Sequence, residues 1–172
     1  MIDHLTWTTD LKKCNRSQFD CGVPALNQYL KSQAGQDVRR NLAICYMACY
    51  ENKVVGFYTL SQHLIRRDDL PTSEQKKVPK RYDAPATLIG RLGIDKCIQG
   101  KGVGKRVLMH ALYKIYVGSK TSATWGAVVI AKDGAEAFYS NQGFILLNAS
   151  EKKYFLPIKV IESAIPKMYQ LK

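Results

Sequence analysis

Eight residues, Gln99-Gly100-Lys101-Gly102-Val103-Gly104-Lys105-Arg106, limit most tightly what this chain can fold into. The apolar stretch before them, residues 87–94, predicts a buried strand. After them, Val103, Val107, Leu108, Ala111, Leu112 and Ile115 recur with helical spacing. They predict an amphipathic helix from Gly102 to about Tyr116, with Lys105, Arg106 and Lys114 on its other faces. Such a helix start offers unpaired N–H groups and the positive end of the macrodipole, and glycines let the backbone approach an anion closely. Successive N–H groups in the turn can form a nest around a pyrophosphate. Two familiar phosphate patterns do not fit. The GxxxxGK[ST] loop needs glycine where Gln99 stands and Ser or Thr where Arg106 stands, and GxGxxG needs its third glycine one residue after Gly104.

The remaining chain reads as a mixture of strands and helices. Residues 23–40 predict a helix opened by Asp20-Cys21-Gly22 with Pro24 early, its core face carrying Leu26, Tyr29 and Leu30. Residues 41–50 and 53–65 predict strands joined at Glu51-Asn52. Residues 66–83, with Pro71 and Pro79, predict a polar surface excursion containing a short helix. A strand over 124–131, a helix over 133–141 and closing strands over 144–147 and 153–160 follow. The fold class is α/β or α+β around a central sheet. With 172 residues and no internal repeat, a single domain over 1–172 is expected.

Composition narrows the setting. No apolar run approaches the ~20 residues of a membrane span, and Met1-Ile2-Asp3-His4 lacks a secretion signal's features. The five cysteines (14, 21, 45, 49 and 97) are odd in number and form no CxxC pair. This argues against a disulfide framework or zinc knuckle and fits a reducing, cytoplasmic location. Cys45 and Cys49 read as packing residues on one strand face. His4, His63 and His110 are scattered, so no metal site is expected, and His110 reads as a surface residue of the long helix. The net charge is +12, of which +8 falls in residues 61–120. That concentration suits a polyanionic partner, although a merely solvated basic surface has the same composition.

The spacing Gln99, Gly102, Gly104 fits Q/R-x-x-G-x-G/A, and here the chain resembles the GNAT superfamily of N-acetyltransferases, whose loop of this form holds the pyrophosphate of acetyl-CoA. Ala135-Glu136-Ala137-Phe138-Tyr139-Ser140-Asn141-Gln142-Gly143-Phe144 resembles the superfamily's A-x-x-F-Y-x-x-x-G-F segment. The resemblance implies a mixed, mostly antiparallel sheet, splayed at the acetyl-CoA site and flanked by helices. It implies acetyl-CoA as co-substrate, held by Gln99, Gly100, Lys101, Gly102, Val103, Gly104, Lys105, Arg106 and Phe138. It also implies that the strand Leu92, Gly93, Ile94 binds the pantetheine arm and that Tyr139 protonates the departing thiolate. A phenol near pKa ~10 is a suitable donor to a thiolate near ~8.5.

Phe19-Asp20-Cys21-Gly22-Val23-Pro24-Ala25-Leu26-Asn27-Gln28-Tyr29-Leu30 resembles the opening of the GNAT-type toxins of bacterial toxin–antitoxin modules. Gly56-Phe57-Tyr58-Thr59-Leu60-Ser61 and Ile89-Gly90-Arg91-Leu92-Gly93-Ile94-Asp95 resemble two further strands of that group. This implies acetylation of the α-amino group of aminoacyl-tRNA and a block on translation. It also implies an antitoxin of ribbon-helix-helix type, and it allows a homodimer. Arg66, Arg67, Lys76, Lys77, Lys80, Arg81 and Lys96 are the candidate phosphodiester contacts. Two alternatives stand beside it: a non-toxic acetyltransferase of a small-molecule or protein amine, and a non-catalytic basic RNA-binding domain. The chain departs from the pattern in three places. Gly93 replaces a common alanine, a change expected to be harmless; residues 128–131 lack a polar residue; and a tail over 159–172 is read as an added helix.

Overall fold

The computed structural model describes residues 4–169. Its strands are β1 (Thr6–Thr8), β2 (Ile44–Tyr50), β3 (Lys53–Ile65), β4 (Ala84–Ile94), β5 (Gly126–Ile130), β6 (Ile145–Asn148) and β7 (Lys153–Pro157). They form one mixed sheet in the order β1-β2-β3-β4-β5-β7-β6. The pairs β1–β2, β2–β3, β5–β7 and β6–β7 are antiparallel, and β4–β5 is parallel. The helices are α1 (Pro24–Gln28), α2 (Ala34–Arg39), α3 (Thr72–Gln75), α4 (Val103–Gly118), α5 (Glu136–Ser140) and α6 (Ile158–Tyr169). The chain groups into two compact units: Met1–Ser61 with Gly90–Ala111, and Gln62–Ile89 with Leu112–Lys172.

In the first unit, β2 and β3 form a hairpin whose turn residues Glu51 and Asn52 both have positive φ (46° and 60°). That backbone matches the right-handed twist of the flanking strands. One sheet face carries Met47 and Phe57, packed with Phe19, Leu26, Tyr29, Leu30 and Ala34. On the other face, Gly56 lets α4 come close: a Cβ there would lie 3.0 Å from Val107 Cγ2. The predicted helix over 23–40 forms, with a π turn, Tyr29–Gln33, between α1 and α2. There the Ala34 N–H donates to Tyr29 O, five residues back.

In the second unit, Ile65, Leu70, Val78, Ala84, Ala86, Val128 and Phe155 share a core. The 66–83 excursion is anchored to it. Glu74 is buried, accepts from Trp125 Nε1 at 3.1 Å and pairs with Lys77 at 2.7 Å. Arg67 donates to the carbonyls of Val78 and Gln75. The parallel β4–β5 ladder joins Thr87–Ile89 to Ala127–Val129.

Several sequence expectations change. The closing strand predicted over 153–160 ends at Pro157, where α6 begins. The tail helix forms to Tyr169, and the remainder of the 159–172 expectation lies outside the described residues. Strand β1 has no counterpart among the sequence expectations, since three residues carry too little alternation to register. A disulfide joins Cys14 to Cys49, contrary to the reading of Cys49 as a packing residue and of the five cysteines as arguing against disulfides. Asn15 explains the meeting: its N–H donates to Asn52 O and its carbonyl accepts from Val54 N–H, and Cys49 is the register partner of Val54. Cys21, Cys45 and Cys97 are free. His110, read as a surface residue, is half-buried. Its ring stacks on Trp7 at 3.7 Å, and Nδ1 lies 2.8 Å from the Tyr58 hydroxyl.

Candidate active site

The glycine turn sits where expected, leading into α4 at Val103. Gly100 and Gly102 have φ of +75° and +76°, a region that side chains disfavour. Nothing lies within 4 Å of a Cβ built at either residue. The turn therefore presents open backbone on which an anion can rest, as a pyrophosphate site requires. Val103 is buried, so only its backbone faces the turn, whereas Lys101, Lys105 and Arg106 are exposed. Lys101 Nζ donates to Cys97 O at 3.3 Å.

The Gln99 side chain is exposed yet tied back onto the backbone. Its Nε2 donates to Ile94 O at 2.8 Å and to Cys21 O at 3.0 Å, tying the turn to the end of β4 and to the N-terminal segment. A larger clamp surrounds that tie. Asp20 accepts from the Gly22 N–H and from Asn27 Nδ2, and pairs with Lys96 at 2.5 Å. Asp95 accepts from the N–H groups of Asp20 and Cys97, and the Lys96 N–H donates to Asp20 O at 2.8 Å. Lys96, the Gly22 amide and Asn27 hold the Asp20 carboxyl far below the usual carboxylate range. Asp20, Cys21 and Asn27 are thus supports of the turn. In the sequence they stand out as a helix opening and by family resemblance, and nothing local announces a contact 75 positions away. Asp20→Ala is expected to weaken coenzyme A binding about fivefold, near the upper end for an exposed ion pair; calorimetric titration with coenzyme A would measure it.

Leu92, Gly93 and Ile94 end β4, with Gly93 buried. A Cβ on Gly93 would stand 2.9 Å from Phe57 Cε1 and 3.4 Å from Phe19 Cζ. Glycine in place of alanine fits this backbone; it is the reverse change that would press a methyl group on the buried Phe57 ring, with Phe19 at the limit of ordinary contact. Gly93→Ala should cost ~1–3 kcal/mol by overpacking. For a chain of this size that lowers the melting temperature by about 3–10 °C, readable by thermal denaturation.

Phe138 and Tyr139 lie on α5, and Gly143 (φ +88°) turns the chain so that Phe144 N–H reaches Tyr139 O. Phe138 and Phe144 meet the Tyr139 ring edge-on, at 5.1 and 5.6 Å. Among the described residues the Tyr139 hydroxyl has no hydrogen-bond partner. Burial pushes its phenol up to about 12, so it stays protonated at neutral pH.

The basic residues separate in role. Arg67, Lys77 and Lys96 are committed to the carbonyls and carboxylates named above. Arg81 lies over the Tyr82 ring at 5.0 Å. Arg66, Lys76 and Lys80 are exposed, without ion pairs among the described residues. Among the described residues no three His, Cys, Asp or Glu side chains group as metal ligands, and no helix is long and apolar enough to cross a membrane.

Comparison with known proteins agrees with this architecture. The chain is 29% identical to a tRNA-acetylating toxin of Mycobacterium tuberculosis over 129 residues, 74% of this chain and 76% of the relative. A crystal structure of a Tyr-to-Phe variant of KacT superposes with a TM-score of 0.86 and 33% identity, covering 92% of this chain and 98% of that one. AtaT in complex with acetyl-methionyl-tRNAfMet superposes at 0.85 with 33% identity, over 94% and 99% of the two chains. AtaT has also been solved with acetyl-CoA and the C-terminus of the antitoxin AtaR. The acetyltransferase (GNAT) family model matches residues 7–144. The turn at the head of α4 and the Phe-Tyr helix α5 both fall within that match, and the chain belongs to the GNAT acetyltransferase family.

Proposed function

We propose that this protein is an acetyl-CoA-dependent toxin that acetylates the α-amino group of aminoacyl-tRNA, acting in the cytoplasm as one domain over 1–172 and restrained by an antitoxin. The observation that carries the proposal is the open, positive-φ backbone at Gly100 and Gly102 heading α4, in a chain that resembles AtaT and KacT along almost its whole length. Acetyl-CoA supplies the thioester. The amides of Gly102, Val103 and Gly104 hold its pyrophosphate, assisted by Lys101, Lys105 and Arg106. Strand β4 runs on to Ile94 beyond the stretch that pairs with β5, and the edge of Leu92–Gly93 turned away from β3 is where the pantetheine arm pairs and the thioester carbonyl is polarised. Phe138 packs beside the arm.

Tyr139 donates its proton to the leaving sulfur. Desolvation raises its phenol, and the same dry surroundings raise the proton affinity of the thiolate, so the transfer remains close to balanced. No enzymic base is required for this acceptor. An α-amine titrates near ~8, against ~10.4 for lysine, so a substantial fraction is neutral at cytosolic pH.

Incubation with labelled acetyl-CoA and charged tRNA should place label on the aminoacyl end, and expression in bacteria should arrest growth. Labelling of free polyamines in place of charged tRNA, with healthy growth, would select a small-amine acetyltransferase instead.

A further inference from the structure

Arg91 lies on β4, two residues before Gly93, and is half-buried. Its guanidinium lies over the Tyr29 ring, 3.6 Å from the centroid. Tyr29 is itself packed and tethered: it is 1% exposed, begins the π turn, and donates its hydroxyl to Asp37 Oδ2 at 3.0 Å. A phenol donating to a carboxylate is electron-rich, which strengthens its hold on a cation over the ring. Stacking uses only the face of the guanidinium. Among the described residues Arg91 makes no hydrogen bond and no ion pair, so its N–H fork is unspent.

A second cation shares this neighbourhood. Arg16 and Arg91 both act on the buried Cys45 thiol, opposing the rise that burial imposes. Arg16 Nη1 is itself buried without a hydrogen-bond partner. Of the two, Arg91 lies on the strand assigned to the acyl arm, two residues before Gly93. The unspent fork of Arg91, held in a fixed plane by the Tyr29 ring, is the donor set that a phosphate or carboxylate satisfies best.

We propose that Arg91, held flat on Tyr29, grips the phosphodiester preceding the terminal nucleoside of the aminoacyl-tRNA acceptor and so anchors the acceptor end at the site. The proposal rests on the tRNA reading above. An aminoacyl ester has no free carboxylate, so the backbone phosphate is the anion nearest its amine. The fork geometry explains why arginine stands here: a lysine would supply the charge but not the two parallel donors.

The test compares two acceptors on the full-length enzyme, charged tRNA and an aminoacyl-adenosine that lacks the preceding phosphodiester. For Arg91→Ala, KM for charged tRNA should rise about 10–100-fold, the range for losing a charge-assisted pair, with kcat within about twofold. The slope of log affinity for charged tRNA against log salt should flatten by about 0.7, one single-strand phosphate contact. Transfer to aminoacyl-adenosine and coenzyme A affinity should not change. Arg91→Lys should restore the salt slope and recover only part of KM. Equal losses on both acceptors, or no loss on either, overturn the proposal while leaving the tRNA reading intact, provided the wild type labels charged tRNA. Wild-type protein that acetylates aminoacyl-adenosine but leaves charged tRNA unlabelled overturns both.

Discussion

Tyr139→Phe should lower kcat for acetyl transfer by about 10²–10³-fold, within the range for losing a general acid. Stability and coenzyme A affinity should hardly change. The ring contacts with Phe138 and Phe144 survive the substitution, and among the described residues the hydroxyl holds no hydrogen bond whose loss would cost the fold anything. Expressed in bacteria, the variant should permit growth under conditions where the wild type arrests it. The pH profile gives a second check with a definite sign. A phenol displaced upward to about 12 stays protonated through the neutral range and beyond. The rate should therefore rise with pH as the acceptor amine deprotonates near ~8, and stay level to about pH 10. A descending limb near pH 7 would mean that a different acid, with a much lower pKa, delivers the proton. Full activity of the phenylalanine variant would remove Tyr139 from the chemistry altogether.

Gly104→Glu should abolish coenzyme A binding in the working range while leaving the fold intact. Residue 104 stands in the first turn of α4, where a carboxylate favours the helix by ~0.3–1 kcal/mol through the macrodipole. The same carboxylate would face the pyrophosphate. Two like charges ~5 Å apart at an effective dielectric of ~20 repel by about 3 kcal/mol, on the order of a hundredfold in affinity. Calorimetric titration with coenzyme A alongside a thermal melt separates the outcomes. Loss of affinity at an unchanged melting temperature is expected, and unchanged affinity would move the pyrophosphate away from this turn. Screening by salt gives a further handle, because the deficit should shrink as ionic strength rises.

The clamp around Asp20 and the fork of Arg91 show how this protein distributes its work. The residues proposed to touch coenzyme A are mostly backbone, which any sequence can supply if the turn is held open. The specific side chains, Asp20, Asn27, Asp95 and Gln99, are spent on holding it. The opening segment of the chain is therefore as much a part of the site as the turn itself.

What could be read directly was local. The turn into α4, the hairpin at Glu51-Asn52, the helical span from Pro24 to Arg39 and the Phe-Tyr helix all follow from periodicity, glycine placement and dihedral preference within a few residues. Those forces act along the chain and leave their mark in its order. Four matters were settled only by three-dimensional packing. Cys14 meets Cys49 because Asn15 docks on the hairpin, and His110 is drawn against Trp7 and Tyr58. Arg67 is turned inward to cap carbonyls, and Gly93 is pressed so near Phe57 that a methyl group no longer fits. Arg67 finds its partners 8 and 11 residues along an irregular loop and the other three find theirs far away in sequence; in each case the steric and electrostatic match is made by the fold and has no periodic trace to read.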